Sequence, residues 1–270
     1  MKAPIAIALA LSLVAATGAE AQWEKKAHAT AARMRSGEFD LQAAAPKTRA
    51  GRVDLSGVWL ANRDKLPPEI VTVEGTDQQF PRHMINAAAD FEPTAFPIQP
   101  WAAQLFEKRA NGTGADDPAA HCKPDGMPLM DANLLPIKIV QTDQLVLMLY
   151  EADTTFRQIF LDGRKPVHDP EPRYLGYSTG RWEGSTLAVE TVGLNEHRLD
   201  ALGHPLTDKL RLTERFRRSD VGHLAVDITV DDPGAYTKPF TYTIEYTLVP
   251  DEDLLEYFCT DNEKDVQHYQ

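Results

Sequence analysis

The feature that most constrains the fold is a series of segments, from Leu134 onward, in which apolar and polar residues alternate. Alternation with a period of two is typical of strands that bury one face. Connections of hairpin length, several of them containing Gly or Asp, separate the segments, so neighbouring strands can pair directly. We count roughly ten strands and few helices, which predicts a mainly β fold, either an antiparallel β-barrel or a sandwich with a few peripheral helices.

The clearest hairpin runs from Gly176 to Gly193, with its turn at Glu183-Gly184-Ser185. In the returning strand, Leu187, Val189 and Thr191 share one face, and Thr186, Ala188 and Glu190 share the other. The first arm also spells Gly-Tyr-Ser-Thr-Gly around Ser178, the letters of a hydrolase nucleophile elbow. That elbow needs a helix after the turn, and a strand follows here, so a nucleophilic role for Ser178 is disfavoured.

The beginning of the chain reads as an export signal. Lys2 precedes an apolar run from Ile5 to Ala16, and small residues end the segment at Ala19-Glu20-Ala21. We therefore expect residues 1–21 to be a cleaved signal peptide and the mature protein to be periplasmic or secreted. Composition further predicts an N-terminal arm and linker over residues 22–53, and a single β-barrel domain over residues 54–270.

Charge and hydropathy narrow the range of partners. The chain has 28 Lys and Arg against 40 Asp and Glu, a net charge of −12, without a basic block. Such a chain is a poor partner for nucleic acid or for an anionic lipid surface. No segment after the signal is apolar for long enough to cross a bilayer, so we expect no membrane insertion. A small-molecule ligand or substrate remains the expected partner.

The chain contains two cysteines, Cys122 and Cys259. In an oxidising compartment an even number of cysteines favours a disulfide, and neither cysteine has a second one nearby to form a zinc or redox motif. A loop of this length would give an entropic stabilisation of about 4–5 kcal/mol. Two buried thiols and a reactive thiol are the alternatives.

Two charged residues lie in phase with apolar neighbours on predicted strands. Glu214 shares a strand face with Leu212 and Phe216, and Arg157 shares one with Ile159. A carboxylate inside a barrel must be paired or hydrogen-bonded, and burial raises its pKa towards values useful in acid–base catalysis. The alternatives are a structural Arg157–Glu214 ion pair and a bulge that turns both side chains outward.

Further candidates complete a predicted site. His168, in the loop before the central hairpin, is a candidate acid–base residue, although loop histidines are usually only solvated. Aromatic side chains on alternating strands either pack the core or line an apolar cavity. The predicted catalytic residues are His168, Glu214, Arg157 and Tyr177, and the predicted ligand-binding residues are Trp59, Tyr150, Tyr174, Arg181 and Glu190. We predict no metal and no organic cofactor, because His197, Asp200 and His204 match no metal spacing and no phosphate-binding loop is present.

The central hairpin carries a resemblance to a known family. GYSTGRWEGSTLAVETVG, with FRQIFLDGR before it and LTERFRR after it, resembles a large family of mostly uncharacterised secreted bacterial proteins. The segments around Cys122 and Cys259 are also similar to that family, and the likeness covers roughly Asp54 to His268. Three positions depart from its usual pattern: Ser185 replaces Asp, Lys165-Pro166 replaces His-Pro, and Leu129 replaces Arg. The Gly-x-Trp start at Gly57 and Trp59 resembles that of a lipocalin-like (calycin) barrel.

These observations leave three hypotheses about function. The first is a secreted enzyme, without an organic cofactor, that acts on a small, partly apolar molecule by acid–base chemistry as a lyase, isomerase, cyclase or hydrolase. In this hypothesis Glu214 or His168 moves the proton and Arg157 holds an anionic oxygen. The second is a non-catalytic ligand carrier or sensor, which needs a cavity but no perturbed carboxylate. The third is a structural envelope protein with a filled barrel.

Overall fold

The computed structural model describes residues 33–65, 79–92, 94–167 and 170–259. The expected signal peptide and residues 22–32 of the expected arm lie outside these residues. The fold is mainly β, as the sequence predicts, and its centre is a closed barrel of nine strands. In order around the ring, the strands are β1 (Gly57–Ala61), β13 (Phe240–Leu248), β12 (His223–Asp231), β11 (Arg211–Arg218), β8 (Thr186–Val192), β7 (Tyr177–Glu183), β6 (Thr155–Phe160), β5 (Leu145–Tyr150) and β4 (Ile137–Gln141).

Shorter elements accompany the barrel. Two two-stranded sheets pair β2 with β3 and β9 with β10. One helix starts at Pro100, and proline suits the first turn because the amide hydrogen that it lacks would have no partner within the helix. The elements are β2 (Asp64–Lys65), β3 (Gln79–Phe80), α1 (Arg82–Ile85), α2 (Pro100–Ala110), β9 (His197–Arg198), β10 (Pro205–Leu206) and the 3-10 turns Ala119–His121, Leu129–Ala132 and Ala152–Thr154.

One strand pair departs from the predicted antiparallel arrangement. β6 and β7 are parallel, with Ile159 opposite Ser178, whereas every other neighbouring pair in the barrel is antiparallel. A closed ring with an odd number of strands cannot alternate direction throughout, so nine strands require one parallel pair. The connection over residues 161–176 must therefore run from one end of the barrel to the other.

The two ends of the barrel are closed by different parts of the chain. We call the end where β1 finishes, at Ala61, the upper end, and the end where β11 finishes, at Arg218, the lower end. The long connections over residues 62–136 and 193–210 leave the strands at the upper end. The described N-terminal residues pack at the lower end, where Ala43 accepts a hydrogen bond from Val221 and Leu41 accepts one from Gly222.

A short segment covers the barrel interior at the upper end. We call residues 126–132 the plug, and Met127, Met130 and Asp131 in it are completely buried. Gly126 starts the plug with a positive φ of 80°, and a Cβ at this position would lie 2.7 Å from the ring of His197. Only glycine therefore fits both the backbone conformation and the space at this position.

The chain leaves the barrel after β13, and residues 253–259 form no strand. This segment has no strand partner, and it crosses the outside of the barrel near β4, β5 and β6, where Lys138 binds Asp253 and Thr154 binds Tyr257. The predicted disulfide between Cys122 and Cys259 is present and ties this tail to the chain that leads into the plug. Within the described residues, no helix is long and apolar enough to span a bilayer.

Candidate active site

A charged cluster lies inside the upper half of the barrel, and Arg157 on β6 is its centre. The guanidinium group of Arg157 donates two hydrogen bonds to Glu214 on β11, one of them from Nη1 to Oε1 over 2.8 Å. It also donates from Nε to the Ser178 hydroxyl over 3.0 Å and from Nη2 to the Thr191 hydroxyl over 2.7 Å. These side chains are almost completely buried, so the strands β6, β7, β8 and β11 all contribute to one internal polar site.

The plug adds a second carboxyl group to this cluster. Asp131 places Oδ2 3.6 Å from Arg157 Nη1, and its Oδ1 accepts a hydrogen bond of 2.7 Å from the Tyr150 hydroxyl. The backbone carbonyl of Asp131 accepts a hydrogen bond from the hydroxyl of Tyr246 on β13. The cluster therefore contains two carboxyl groups and one guanidinium group in a space that water does not reach.

The charge balance implies that one carboxyl group holds a proton. Burial, together with the Glu214 carboxylate, raises the pKa of Asp131 to about 8. The Oδ2 atom of Asp131 accepts no hydrogen bond among the described residues, and Arg157 Nη1 lies 3.6 Å away, so an ionised carboxylate would be poorly satisfied there. A proton on Oδ2 resolves this, because a protonated Asp131 can donate to Glu214, and a side-chain hydrogen bond between the two also raises the pKa of Asp131.

The counter-ion holds Arg157 in its charged form. Burial alone would lower the pKa of Arg157, but the Glu214 carboxylate outweighs burial and raises it. Burial also raises the pKa of the Tyr150 hydroxyl, which therefore stays protonated and acts as a donor to Asp131. At neutral pH the cluster thus consists of one cation, one carboxylate and one carboxylic acid. This arrangement can exchange a proton near neutral pH, as general acid–base catalysis requires.

Three of the predicted site residues come together in the cluster. Arg157 and Glu214 face the interior, as their phase with Ile159 and Phe216 predicts, and they form the ion pair that the sequence left as an alternative to catalysis. Tyr150 joins them through Asp131.

The other predicted residues lie elsewhere. Trp59 faces the interior near the lower end, where its indole donates to the carbonyl of Leu55. Arg181 and Glu190 form an ion pair on the outer face of the hairpin, so they do not line the barrel interior. Tyr177 also faces outward, against Phe160 and Arg164, and therefore does not converge with Arg157.

Tyr174 and His168 complete the set of predicted residues. Tyr174 is half-buried, and its backbone carbonyl accepts a hydrogen bond from Met127 of the plug. His168, the predicted acid–base histidine, lies outside the described residues, so its role stays a prediction.

The sequence reasoning missed Asp131. This residue lies in an irregular segment between Cys122 and Leu134, where no periodicity indicates which side chains point inward. A local signal exists, because Asp131 is the only charged residue in the otherwise apolar run Met127-Pro-Leu-Met-Asp-Ala132. An isolated carboxyl group in such a run is typical of a buried, hydrogen-bonded acid.

A second buried arginine closes the lower end. Arg218 donates hydrogen bonds to the backbone carbonyls of Asp54, Ser56, Asp220 and Val221, and its guanidinium carbon lies 4.8 Å from the ring centre of Trp59. Burial lowers the pKa of Arg218 to about 10, against the opposing influence of nearby carboxylates. No carboxylate oxygen accepts a hydrogen bond from it among the described residues, so its direct partners are carbonyl dipoles.

The polar residues near the plug form hydrogen bonds among themselves. His204 Nδ1 lies 2.6 Å from Asp200 Oδ2, while His197 places its two ring nitrogens against the carbonyls of Asn195 and Met127. Among the residues that the structure describes, no group of three His, Cys, Asp or Glu side chains is arranged to hold a metal ion.

A groove of about 500 Å³ lies on the outer surface, on the wall formed by β8, β11, β12 and β13. Its lining includes Thr186, Arg217, His223, Ala225 and Glu245. None of the predicted site residues lines this groove. The charged cluster and the groove are therefore separate features, one inside the barrel and one outside.

Comparison with known proteins returned no match: no family model, no curated protein and no solved structure matches the chain.

Proposed function

We propose that the protein is an extracytoplasmic enzyme that acts on a small, partly apolar molecule by acid–base chemistry inside the upper half of the barrel. The observation that carries the proposal is the buried pair of carboxyl groups, Asp131 and Glu214, held around Arg157. Paired carboxyl groups of which one stays protonated at neutral pH are a common arrangement for proton transfer. The reaction class is therefore one that adds or removes a proton, as in a lyase, isomerase, cyclase or hydrolase.

The geometry divides the roles among the cluster residues. Arg157 directs its donors to Glu214, Ser178 and Thr191, so we assign it as a positioning residue that fixes the Glu214 carboxylate. Asp131 is the candidate proton donor, because the pKa of about 8 keeps it protonated at neutral pH. Glu214, which accepts two hydrogen bonds from Arg157, is the candidate proton acceptor.

The remaining interior suits a partly apolar molecule. Below the cluster the inward side chains are apolar, as at Leu187, Phe216 and Val226. Near the cluster, the buried hydroxyl of Tyr242 has no hydrogen-bond partner among the described residues. A polar group of a bound molecule would satisfy this hydroxyl, while its apolar part would take the place of core contacts.

In this proposal the substrate reaches the site by displacing the plug. The plug is held through a small number of polar contacts: Met127 to Tyr174 and His197, and Asp131 to Tyr150 and Tyr246. The side chains of the plug are buried, but the plug lies outside the hydrogen-bonded strand ladders, and irregular segments open at a lower free energy than barrel strands. Opening at the plug exposes Asp131 and the cluster together.

A ligand carrier is the second candidate, because it requires no catalytic role for the buried ion pair. Arg157 and Glu214 neutralise each other's charge and form hydrogen bonds with each other. Buried ion pairs of this kind also occur for purely structural reasons. The closed barrel supports this candidate, because the Gly-x-Trp start at Gly57 and Trp59 resembles that of a lipocalin-like barrel. The disulfide is consistent with an oxidising compartment outside the cytoplasm.

Untargeted mass spectrometry tests the enzyme against the carrier. The mature protein is incubated with a small-molecule extract of the culture medium of the producing cells, and the compounds consumed and retained are measured. Glu214→Gln and Asp131→Asn are the test variants. Glu190→Gln, which changes a carboxylate on the outer face, is the matched control.

For an enzyme, the wild type and Glu190→Gln convert the same compound, and Glu214→Gln slows conversion by about 10²–10⁴-fold while the compound is still retained. Equal conversion by Glu214→Gln and the wild type would overturn the proposal. Retention of one compound by all variants without conversion would identify a carrier instead.

A further inference from the structure

The outer face of β4, β5 and β6 is unusually apolar for the outside of a barrel. β5 reads Leu-Val-Leu-Met-Leu-Tyr, so it is apolar on both of its faces. A strand with a solvated outer face normally alternates between apolar and polar residues. The register places Leu147 beside Val140 and Leu149 beside Phe156, so outward apolar side chains occur on all three strands, although Lys138 also lies beside Leu149 and Gln158 beside Leu147. We call the outward side chains of these strands the apolar wall.

The C-terminal tail extends the apolar wall at the upper end. Its backbone is fastened there, because the amide of Leu255 donates to Glu151 and the amide of Tyr257 donates to Thr154. The disulfide at Cys259 fixes the end of the same segment. This tail nevertheless presents Leu255, Tyr257 and Phe258 to solvent, next to the start of β6.

The exposed area is close to what a stable dimer needs. Phe156 and Leu255 are each 57% exposed, Phe258 is 50%, Tyr257 is 45% and Val140 is 40%. At about 150–250 Å² for each aromatic side chain, and somewhat less for Leu and Val, these five expose roughly 400–500 Å² of apolar surface. A standard interface buries about 800 Å² per partner, of which about 65% is apolar in homodimers, or roughly 520 Å².

The opposite side of the barrel has a different surface. The strands β11 and β12 lie across the ring from β5. Their outer face carries ion pairs, such as Arg215 with Glu183 and Arg217 with Asp227. The apolar wall is therefore a property of one side of the barrel. Localised apolar surface of this size is typical of an interaction site.

We propose that the apolar wall is the interface of a homodimer, in which a second copy of the chain docks face to face. The ring has no free strand edge, so a partner cannot bind by adding a strand to the barrel. The charges at the wall include the ion pair of Lys138 with Asp253, and Glu252 and Glu256 on the tail are exposed to solvent, where salt screens the repulsion between two copies.

The symmetry of the wall also fits a second copy. A twofold interface brings the same surface of both chains together, so residues on the axis meet their own copies. Leu145, Leu147 and Leu149 form a row that is symmetric about Leu147. An axis that passes through Leu147, in the plane of the interface, therefore pairs this apolar row with itself.

Analytical ultracentrifugation of the full mature chain tests this interface. The wild type is compared with Leu147→Glu, with Leu147→Lys and with an equal mixture of both variants. Thr213→Glu and Thr213→Lys, on the exposed face of β11, are the matched controls. Circular dichroism and thermal unfolding confirm that each variant is folded. Phe156→Ser, at a largely exposed position, is a milder second variant.

We expect the wild type and both Thr213 variants to sediment as dimers. Each Leu147 variant alone should be a monomer, because two like charges meet on the axis, and the mixture should regain the dimer mass. Phe156→Ser should weaken the dimer at least tenfold. A wild-type monomer at all concentrations, or a Leu147→Glu dimer as stable as the wild type, would overturn the proposal.

Discussion

Two buried arginines close the two ends of the barrel, and their positive charges are stabilised in different ways. At the lower end Arg218 is surrounded by backbone carbonyls and packs on Trp59. At the upper end Arg157 is paired with the Glu214 carboxylate, and Asp131 of the plug lies beside them. Both guanidinium groups are nearly inaccessible to water. The difference lies in whether the partners can titrate.

This difference assigns a different role to each end. Carbonyl partners have fixed dipoles, so the lower end keeps its hydrogen bonds at any pH at which Arg218 is charged. The upper end contains a carboxyl group that gains or loses a proton near neutral pH. Closure at the lower end is therefore structural, while the upper end is the one where proton transfer and opening are chemically feasible.

Removing both carboxyl groups at the upper end should give the largest loss in the free energy of unfolding. The double substitution Asp131→Asn with Glu214→Gln leaves Arg157 buried without an anion, and we expect a loss of about 3–5 kcal/mol in the free energy of unfolding. Each single substitution should cost much less, because one carboxyl group remains beside Arg157 to pair with it. Urea unfolding of the four proteins in the double-mutant cycle measures this coupling. If the losses of the two single variants added up to that of the double variant, the proposed coupling of Asp131 and Glu214 around Arg157 would be contradicted.

Replacing the buried arginine at the lower end should give a smaller loss in the free energy of unfolding, and this loss should not depend on pH. Arg218→Met removes the donors from several buried carbonyls, and we expect a loss of about 2–3 kcal/mol. Since Arg218 is protonated in both the folded and the unfolded state below about pH 9, this loss should be constant between about pH 5 and 9. Urea unfolding at several pH values checks it. If the stability loss of Arg218→Met changed steadily with pH, the lower end would also contain a titrating partner, and the contrast between the two ends would be wrong.

The smallest effect, when expressed per pH unit, is the change in stability that comes from one titrating group. The pKa of Asp131 is higher in the folded state, about 8, than in the unfolded chain, so the folded state binds the proton more tightly. Its contribution to stability is complete below the unfolded pKa, near 4, and is lost as the pH rises to about 8. The slope is at most about 1.4 kcal/mol per pH unit.

Asp131→Asn should remove this slope, and Glu190→Gln should keep it, when unfolding is followed by fluorescence between about pH 4 and 8. If the pH dependence of the unfolding free energy stayed the same in Asp131→Asn, the proton would have to reside on a group other than Asp131.

The barrel and half of its charged cluster could be predicted from the sequence. Alternation in β8 and β11 places Leu187 and Glu214 inside, because the side-chain period of a strand is two. The same rule places Glu190 outside, so its assignment to ligand binding disagreed with the phase of its own strand. Periodicity is therefore the more reliable guide where a strand is regular.

Two features could not be derived from periodicity. Asp131 lies in a segment without regular structure, and its position depends on tertiary contacts with Tyr150 and Tyr246. The parallel pairing of β6 with β7 depends on the path of residues 161–176, since a loop of this length can return at either end of a barrel.

The closure of the ring has a consequence for how the chain folds. β1 pairs with β4 on one side and with β13 on the other, and Trp59 lies opposite Leu248 near the C-terminal end of the barrel. Contacts between residues so far apart in the chain form slowly, because a large loop must close before they are gained. A nascent chain that lacks β13 leaves both β1 and β12 with a bare edge and an uncovered apolar interior. Productive folding must therefore wait for the last strand, and during that wait the chain is most vulnerable to aggregation.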